Sequence, residues 1–149
     1  ELPPLVIEGL ANCSADYWGN KLGTVNGKWI LTLTSANWDK YMNLEVATAL
    51  EQKDNPVGVY EISDPYGEVG TASPGYQDGD NFEGCTYIEY VTFPAEGVFM
   101  VSGTITITST GEGVYKVEID ARDGDGRRIQ AVYEGDMHIT DKTYDYGYE

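Results

Sequence analysis

The segment VYKVEIDARDGDGRRIQAVYEGDM, from Val114 to Met137, decides the fold of this chain. In its first arm apolar residues alternate with charged ones, and the second arm repeats the pattern after the DGDG bend. Alternation with a period of two is typical of half-buried antiparallel strands, and glycine supplies the positive φ angles of a tight reversal. The segment therefore predicts a β-hairpin. Its inward side chains are Tyr115, Val117, Ile119 and Ala121 in the first arm and Ile129, Ala131 and Tyr133 in the second.

The same alternation recurs along the chain. GKWILTLTS places Trp29, Leu31 and Leu33 on one face, and GTITITST places Ile105 and Ile107 inward. Further strands are predicted near residues 4–9, 14–19, 57–63, 85–93 and 98–108. The segment MNLEVATALEQK, residues 42–53, suits either a helix or a strand, and we favour the strand because it fits a meander into VYEIS.

About eight to ten short strands separated by turn residues predict one all-β domain over residues 1–149. The expected architecture is an antiparallel β-sandwich or a flattened β-barrel, with a lipocalin-like barrel as the alternative. Residues 63–84 carry no periodicity, and a structureless stretch of that length in a compact domain is usually functional or mobile.

The charge balance excludes some classes of binding partner. The chain has 25 Asp and Glu against 9 Lys and Arg, a formal net charge of −16. Nucleic acids and anionic membranes need a cationic face, so neither is an expected partner. We also expect a monomer, because this charge opposes self-association, although the tyrosine-bearing tail TYDYGYE could pair as an edge strand.

The two cysteines, Cys13 and Cys85, stand in no CxxC or Cys/His arrangement, so the sequence supports no zinc site. A disulfide between them would close a loop of about 70 residues, worth roughly 4 kcal/mol. We slightly favour two free buried thiols.

Four motifs follow one another along the chain: ADYWGN, GKWILTLTS, NPVGVYEIS, and the long stretch from Gly103 to Met137. Together they resemble small β-rich domains of secreted surface lipoproteins from Bacteroidetes-type gut bacteria. The resemblance implies an extracytoplasmic, cell-surface location and a lipid anchor on a cysteine upstream of Glu1, which fits the opening ELPPLV as a tether. It carries over no catalytic residue, and it associates the domain with glycans or surface protein partners.

Two acidic loops are candidate calcium sites. A calcium loop counted from Asp123 would place Arg127 and Arg128 where a ligand and a glycine belong, so the hairpin bend is the better interpretation. The loop YQDGDNFEG offers several oxygen ligands and is the better candidate of the two for calcium, although loops of this composition are usually only solvated. We therefore predict no metal site and no cofactor.

Catalysis has little support in the residues. The single histidine, His138, has no nucleophilic serine motif to serve, and with 25 acidic residues a chance carboxylate pair means nothing. We predict that the chain is not an enzyme.

The aromatic content points to binding instead. Three Trp and 12 Tyr stand against three Phe, and several of these amphipathic rings fall in predicted turns. Rings on loops beside acidic oxygens suit stacking on neutral sugars or a protein partner, whereas the alternative is that they cover the ends of the core. The predicted ligand-binding residues are Trp38, Tyr41, Tyr66, Tyr76, Asp78 and Asp80. The expected function is glycan binding, with a structural module of a surface complex and a lipocalin-like carrier as alternatives.

Overall fold

The computed structural model describes residues 2–63, 67–90 and 96–143. Within these ranges the chain forms fourteen β-strands. Their bounds are β1 Leu5–Ile7, β2 Leu10–Gly19, β3 Gly27–Ser35, β4 Lys40–Thr48, β5 Gly58–Ile62, β6 Thr71–Ala72, β7 Tyr76–Asp78, β8 Asn81–Glu83, β9 Thr86–Glu89, β10 Glu96–Phe99, β11 Ser102–Gly111, β12 Val114–Arg122, β13 Arg128–Asp136 and β14 His138–Asp141. The predicted all-β class is confirmed.

Twelve strands form one sheet in the order β1-β13-β12-β11-β5-β6-β4-β3-β2-β14, with β9 and β10 branching from β4, while β7 and β8 pair alone. Most neighbours are antiparallel, as predicted. Three pairs are parallel, however: β1 with β13, β14 with β2, and β5 with β6. The sheet is therefore mixed, and in two of the three parallel pairs strands from the two ends of the described chain run side by side.

Those two ends also close the sheet. Strand β1 leads directly into β2 and β13 leads directly into β14, so the pairing of β1 with β13 and of β14 with β2 joins the first strands of the order to the last. We call this junction of β1–β2 with β13–β14 the seam. Of the predicted architectures, a ladder that returns to its own beginning is that of a closed barrel.

The hairpin of β12 and β13 forms as the sequence predicts. Val114 pairs with Asp136 and Arg122 with Arg128, and the inward residues of both arms are buried. One carboxylate oxygen of Asp123 accepts hydrogen bonds from the backbone N–H groups of Asp125 and Arg127, both at 2.9 Å. This carboxylate shapes the bend, which supports the interpretation of DGDG as a turn.

The core lies inside the closed sheet. Trp29, Leu31, Leu33, Ile105 and Ile107 are fully buried, as their alternation predicted. Cys13 and Cys85 are both free and buried, in agreement with the favoured prediction. Buried side chains fill the interior as one cluster, which is unlike the hollow apolar barrel that a lipocalin-like carrier requires.

Several segments differ in detail from the predictions. The strand predicted near residues 98–108, for example, is broken between β10 and β11. Residues 42–53 contain a strand, but it ends at Thr48, and Leu50 is exposed beyond it. The stretch 63–84 is more regular than predicted, because β6 and the β7–β8 hairpin lie within it. Local periodicity reveals neither where β4 ends nor which partners the short strands β6, β7 and β8 pair with.

Candidate functional site

A cleft interrupts the seam. Leu5 pairs with Ile129 at one end and Ser14 with His138 at the other, and in both cases the partner lies 124 positions further along the chain (129 minus 5, 138 minus 14). Between these paired segments, residues 8–13 and 132–137 form no ladder with each other. We call these two stretches the lips. The cleft between them has a volume of about 550 Å³.

The lips part because each one follows a different neighbour. On one side β2 tracks β3 through a bulge between Leu10 and Asn12. On the other side β13 stays with β12 up to Asp136, whose carbonyl accepts a hydrogen bond from the hydroxyl of Tyr133. Gly9 has a φ of 83°, which turns the chain away from β1 at the start of its lip. An L-residue rarely adopts that angle, so glycine is required there.

Trp38 stands at the mouth of the cleft. It lies in the turn between β3 and β4 and lines the cleft together with Thr34, while 62% of its surface remains exposed. Its φ is 66°, and among the described residues no other non-glycine residue has a positive φ. The left-handed conformation costs an L-residue about 1–2 kcal/mol, and an exposed ring recovers little of that by burial.

A network of hydrogen bonds holds the turn that carries Trp38. The hydroxyl of Ser35 lies 2.7 Å from a carboxylate oxygen of Asp39 and accepts the backbone N–H of Lys40 at 3.0 Å. The backbone N–H of Trp38 donates to the carbonyl of Ser35 at 3.1 Å. Ser35 is itself buried. The strained conformation is therefore imposed by the surrounding turn and is not a consequence of where the ring packs.

The walls of the cleft combine apolar and polar groups, and the carboxylates among them are acidic. Glu134, Asp136 and His138 line it with exposed side chains, and the amide of Asn12 donates to the hydroxyl of Thr34 at 3.2 Å. The described lining includes no Lys or Arg. The surface offers hydroxyl, amide and carboxylate groups to a ligand, and its charge disfavours an acidic one.

Cys13 lies at the floor of the cleft but is a poor nucleophile. It is buried, and burial raises the pKa of its thiol from 9.0 to about 12. The thiolate is the reactive form of cysteine. At neutral pH this side chain is a neutral part of the core.

The structure brings some of the predicted ligand-binding residues together and separates others. Trp38 lines the cleft, and Tyr41 lies one strand away, paired across the β3–β4 ladder with the lining residue Thr34. Tyr76 and Asp78 lie on β7, and Asp80 lies in the turn that follows it. Tyr66 falls outside the described residues.

The β7–β8 hairpin, which carries Tyr76, Asp78 and Asp80, is a separate exposed element. It joins the barrel at Gly84, beside Asn43 of β4, whereas the Trp38 turn lies beyond the Lys40 end of that strand. Phe82 packs edge-on against Phe99 with ring centroids 5.6 Å apart, which fixes the hairpin to β10. Within the described residues, no three His, Cys, Asp or Glu side chains come together as a metal-ion site, and this acidic loop is included.

Sequence reasoning missed the rest of the cleft. One wall of the cleft contributes Asn12, and the other, more than 120 positions further along the chain, contributes Glu134, Asp136 and His138. Only the parallel seam brings these two segments together. An alternating pattern assigns a residue to a face but does not identify a distant neighbour. The positive φ of Trp38 likewise has no signature in the turn sequence SANWDK.

No protein-family model, curated protein or solved structure matches this chain. In the part of the chain that the structure covers, no helix has the length and apolar character needed to cross a membrane.

Proposed function

We propose that this chain is a non-catalytic, extracytoplasmic binding domain of a surface lipoprotein and that its seam cleft binds a neutral saccharide. The observation that carries the proposal is Trp38, an exposed indole held at φ 66° beside a cleft that combines apolar, polar and acidic groups. Strain that persists without burial is characteristic of functional positions. The surface location and the upstream lipid anchor rest on the lipoprotein-like motifs described above.

The chemistry of the cleft suits a sugar. The indole face can stack on the apolar face of a pyranose ring, while Glu134 and Asp136 accept hydrogen bonds from its hydroxyl groups. The absence of Lys and Arg from the described lining, together with a formal net charge of −16, disfavours uronic acids and sulfated glycans. A volume of about 550 Å³ matches a ligand of a few hundred daltons.

The unpaired strand edges of the lips favour a second candidate, an assembly module that receives a strand from another protein. Ladder pairs bound the cleft at both ends, Ile7 with Ala131 and Ser14 with His138. A peptide strand longer than the lips could enter only if one of these ends opened. A compact ligand avoids that requirement, so we favour the saccharide.

The test is binding to a panel of defined short oligosaccharides containing neutral, amino and acidic sugars, followed by titration calorimetry on the tightest binder. Trp38→Ala should weaken binding roughly thirtyfold, since an anchoring Trp typically contributes about 2 kcal/mol. Tyr76→Ala is the matched control, because that ring is also exposed but lies on the β7–β8 hairpin. Its affinity should equal that of the unsubstituted protein.

Two results would refute the proposal: no binding to any neutral sugar in the panel, or the same loss in Tyr76→Ala as in Trp38→Ala. If a peptide or protein partner binds and protects the lip amides from hydrogen exchange, the assembly module is the better assignment.

A further inference from the structure

We propose that the seam has a second, closed state in which the two lips pair with each other, and that closure regulates the cleft by excluding its ligand. The part concerning the ligand rests on the proposed function. The closed state itself does not, because it follows from the register of the seam.

The register of the seam defines how the two lips would pair with each other. Pairs on both sides of the cleft keep the same spacing of 124 positions, from Leu5 with Ile129 to Ser14 with His138. Residues 8–13 and 132–137 are thus equal in number. No residue has to be inserted or removed for Asn12 to pair with Asp136, so closure needs no slip along the seam, although the bulge between Leu10 and Asn12 has to straighten.

Three lip residues, Cys13, Tyr133 and Met137, are buried in the core cluster, but the outward-facing lip residues are not packed into it. Ala11, Asn12, Glu134 and Asp136 are exposed, so water can satisfy their backbone groups in the open state. Closing exchanges these water contacts for ladder hydrogen bonds, an exchange with a small net free-energy change for each bond. The bonds that oppose closure are few, chiefly those from the Tyr133 hydroxyl to the Asp136 carbonyl and from Met137 N–H to the Gly113 carbonyl.

Gly9 biases the equilibrium toward the open state. Its φ of 83° belongs to the parted lip, whereas a residue in a closed parallel ladder would be extended with a negative φ. A Cβ at position 9 would meet only the ammonium group of Lys40, at 3.9 Å, so space is not what requires glycine. Gly9→Ala should therefore penalise the open state and leave the closed one unaffected.

Disulfide trapping tests the closed state. In a Cys13→Ala background, Asn12→Cys with Asp136→Cys places two thiols at an in-register pair, and Asn12→Cys with Glu134→Cys places them out of register by two positions. Strand neighbours in register lie within disulfide reach, whereas diagonal ones lie at its limit. Under mild oxidant, followed by peptide mapping, the in-register pair should cross-link at least about tenfold faster.

Gly9→Ala should raise the cross-linking rate of the in-register pair about tenfold, in line with the penalty of a left-handed L-residue. Gly23→Ala is the matched control, since Gly23 has a φ of 85° and nothing within 4 Å but lies in the β2–β3 turn. It should leave the rate unchanged. Amide exchange on the protein without cysteine substitutions gives a second readout, in which Gly9→Ala should increase protection of residues 8–13.

Equal cross-linking of both cysteine pairs, or none of either together with unaltered exchange in Gly9→Ala, would overturn the closed state. The oligosaccharide of the panel that binds most tightly to the reduced Asn12→Cys, Asp136→Cys protein should slow its cross-linking, and the cross-linked form should not bind it. If the cross-linked and reduced forms bind it equally well, exclusion is wrong. If no saccharide binds, the proposed function fails while the trapping result stands.

Discussion

At the scale of single residues, Trp38 is informative because it violates two rules at once. A bulky residue occupies the left-handed region at φ 66°, and 62% of an apolar side chain faces solvent. Either feature alone has ordinary explanations, since turns tolerate strain and surfaces contain apolar groups. Together they describe a position that would be more stable with another residue, which is the pattern expected of a binding residue.

Trp38→Asn should therefore raise the free energy of unfolding by about 0.5–1 kcal/mol, because asparagine tolerates the left-handed conformation better than other L-residues. Urea denaturation measures the change. Val69→Asn serves as the control, since Val69 is also exposed and has no positive φ, and it should change stability by less than about 0.5 kcal/mol. A loss of more than about 1 kcal/mol in Trp38→Asn would mean that the indole is structural.

The excess of tyrosine over phenylalanine does not by itself indicate recognition. Several tyrosines are buried, Tyr133 as its strand pattern predicts, and they donate their hydroxyl groups to backbone carbonyls near strand ends. Tyr17 donates to Leu50, Tyr60 to Pro56 at 2.7 Å, and Tyr133 to Asp136. For these residues the alternative explanation holds, namely that the rings cover the core while their hydroxyls satisfy the chain where ladders end.

At the scale of elements, the β7–β8 hairpin depends on close backbone approach at its base. Gly84 has a φ of 72°, and a Cβ there would lie 2.1 Å from the carbonyl oxygen of Pro74. At the tip, Gly79 has a φ of 63° but nothing within 4 Å. The two glycines share a positive φ and differ in the space around them, and Gly84 is buried whereas Gly79 is exposed.

Gly84→Ala should accordingly destabilise the protein by about 3 kcal/mol or more, because strain and a clash with rigid backbone act together. Gly79→Ala should lose only about 1 kcal/mol through its left-handed conformation. Thermal and urea unfolding of both variants check the difference. Equal losses would show that the base relaxes easily and that the hairpin is loosely attached.

Elements also mark the boundary of what the sequence could predict. The β12–β13 hairpin was predictable residue by residue because its partners are adjacent along the chain and its turn residues demand the bend. The seam was not predictable, because β1 and β13 show only ordinary strand alternation. Their pairing with each other depends on how the whole sheet closes. Trp38 could be selected as an exposed loop aromatic, but its neighbours Asn12 and Asp136 follow only from that long-range pairing.

At the scale of the whole molecule, buried thiol and phenol groups make the free energy of unfolding sensitive to alkaline pH. Burial raises the pKa of the Cys13 and Cys85 thiols from 9.0 to about 12, and it also raises the pKa of the Tyr60 hydroxyl. A group whose folded pKa lies above its unfolded value contributes stability that is fully present below the unfolded pKa and is lost as pH rises toward the folded one. The vulnerable window for the thiols therefore runs from pH 9.0 to about 12.

The free energy of unfolding should be nearly level from pH 7 to 9 and then fall on the order of 1 kcal/mol per pH unit for each buried thiol. Urea titrations at half-unit steps measure the slope. Cys13→Ala removes one of the two thiols, so its slope above pH 9 should be shallower by that amount even if its stability at pH 7 is lower. An unchanged slope would mean that Cys13 already meets solvent through the cleft, and that the seam opens further than the structure indicates.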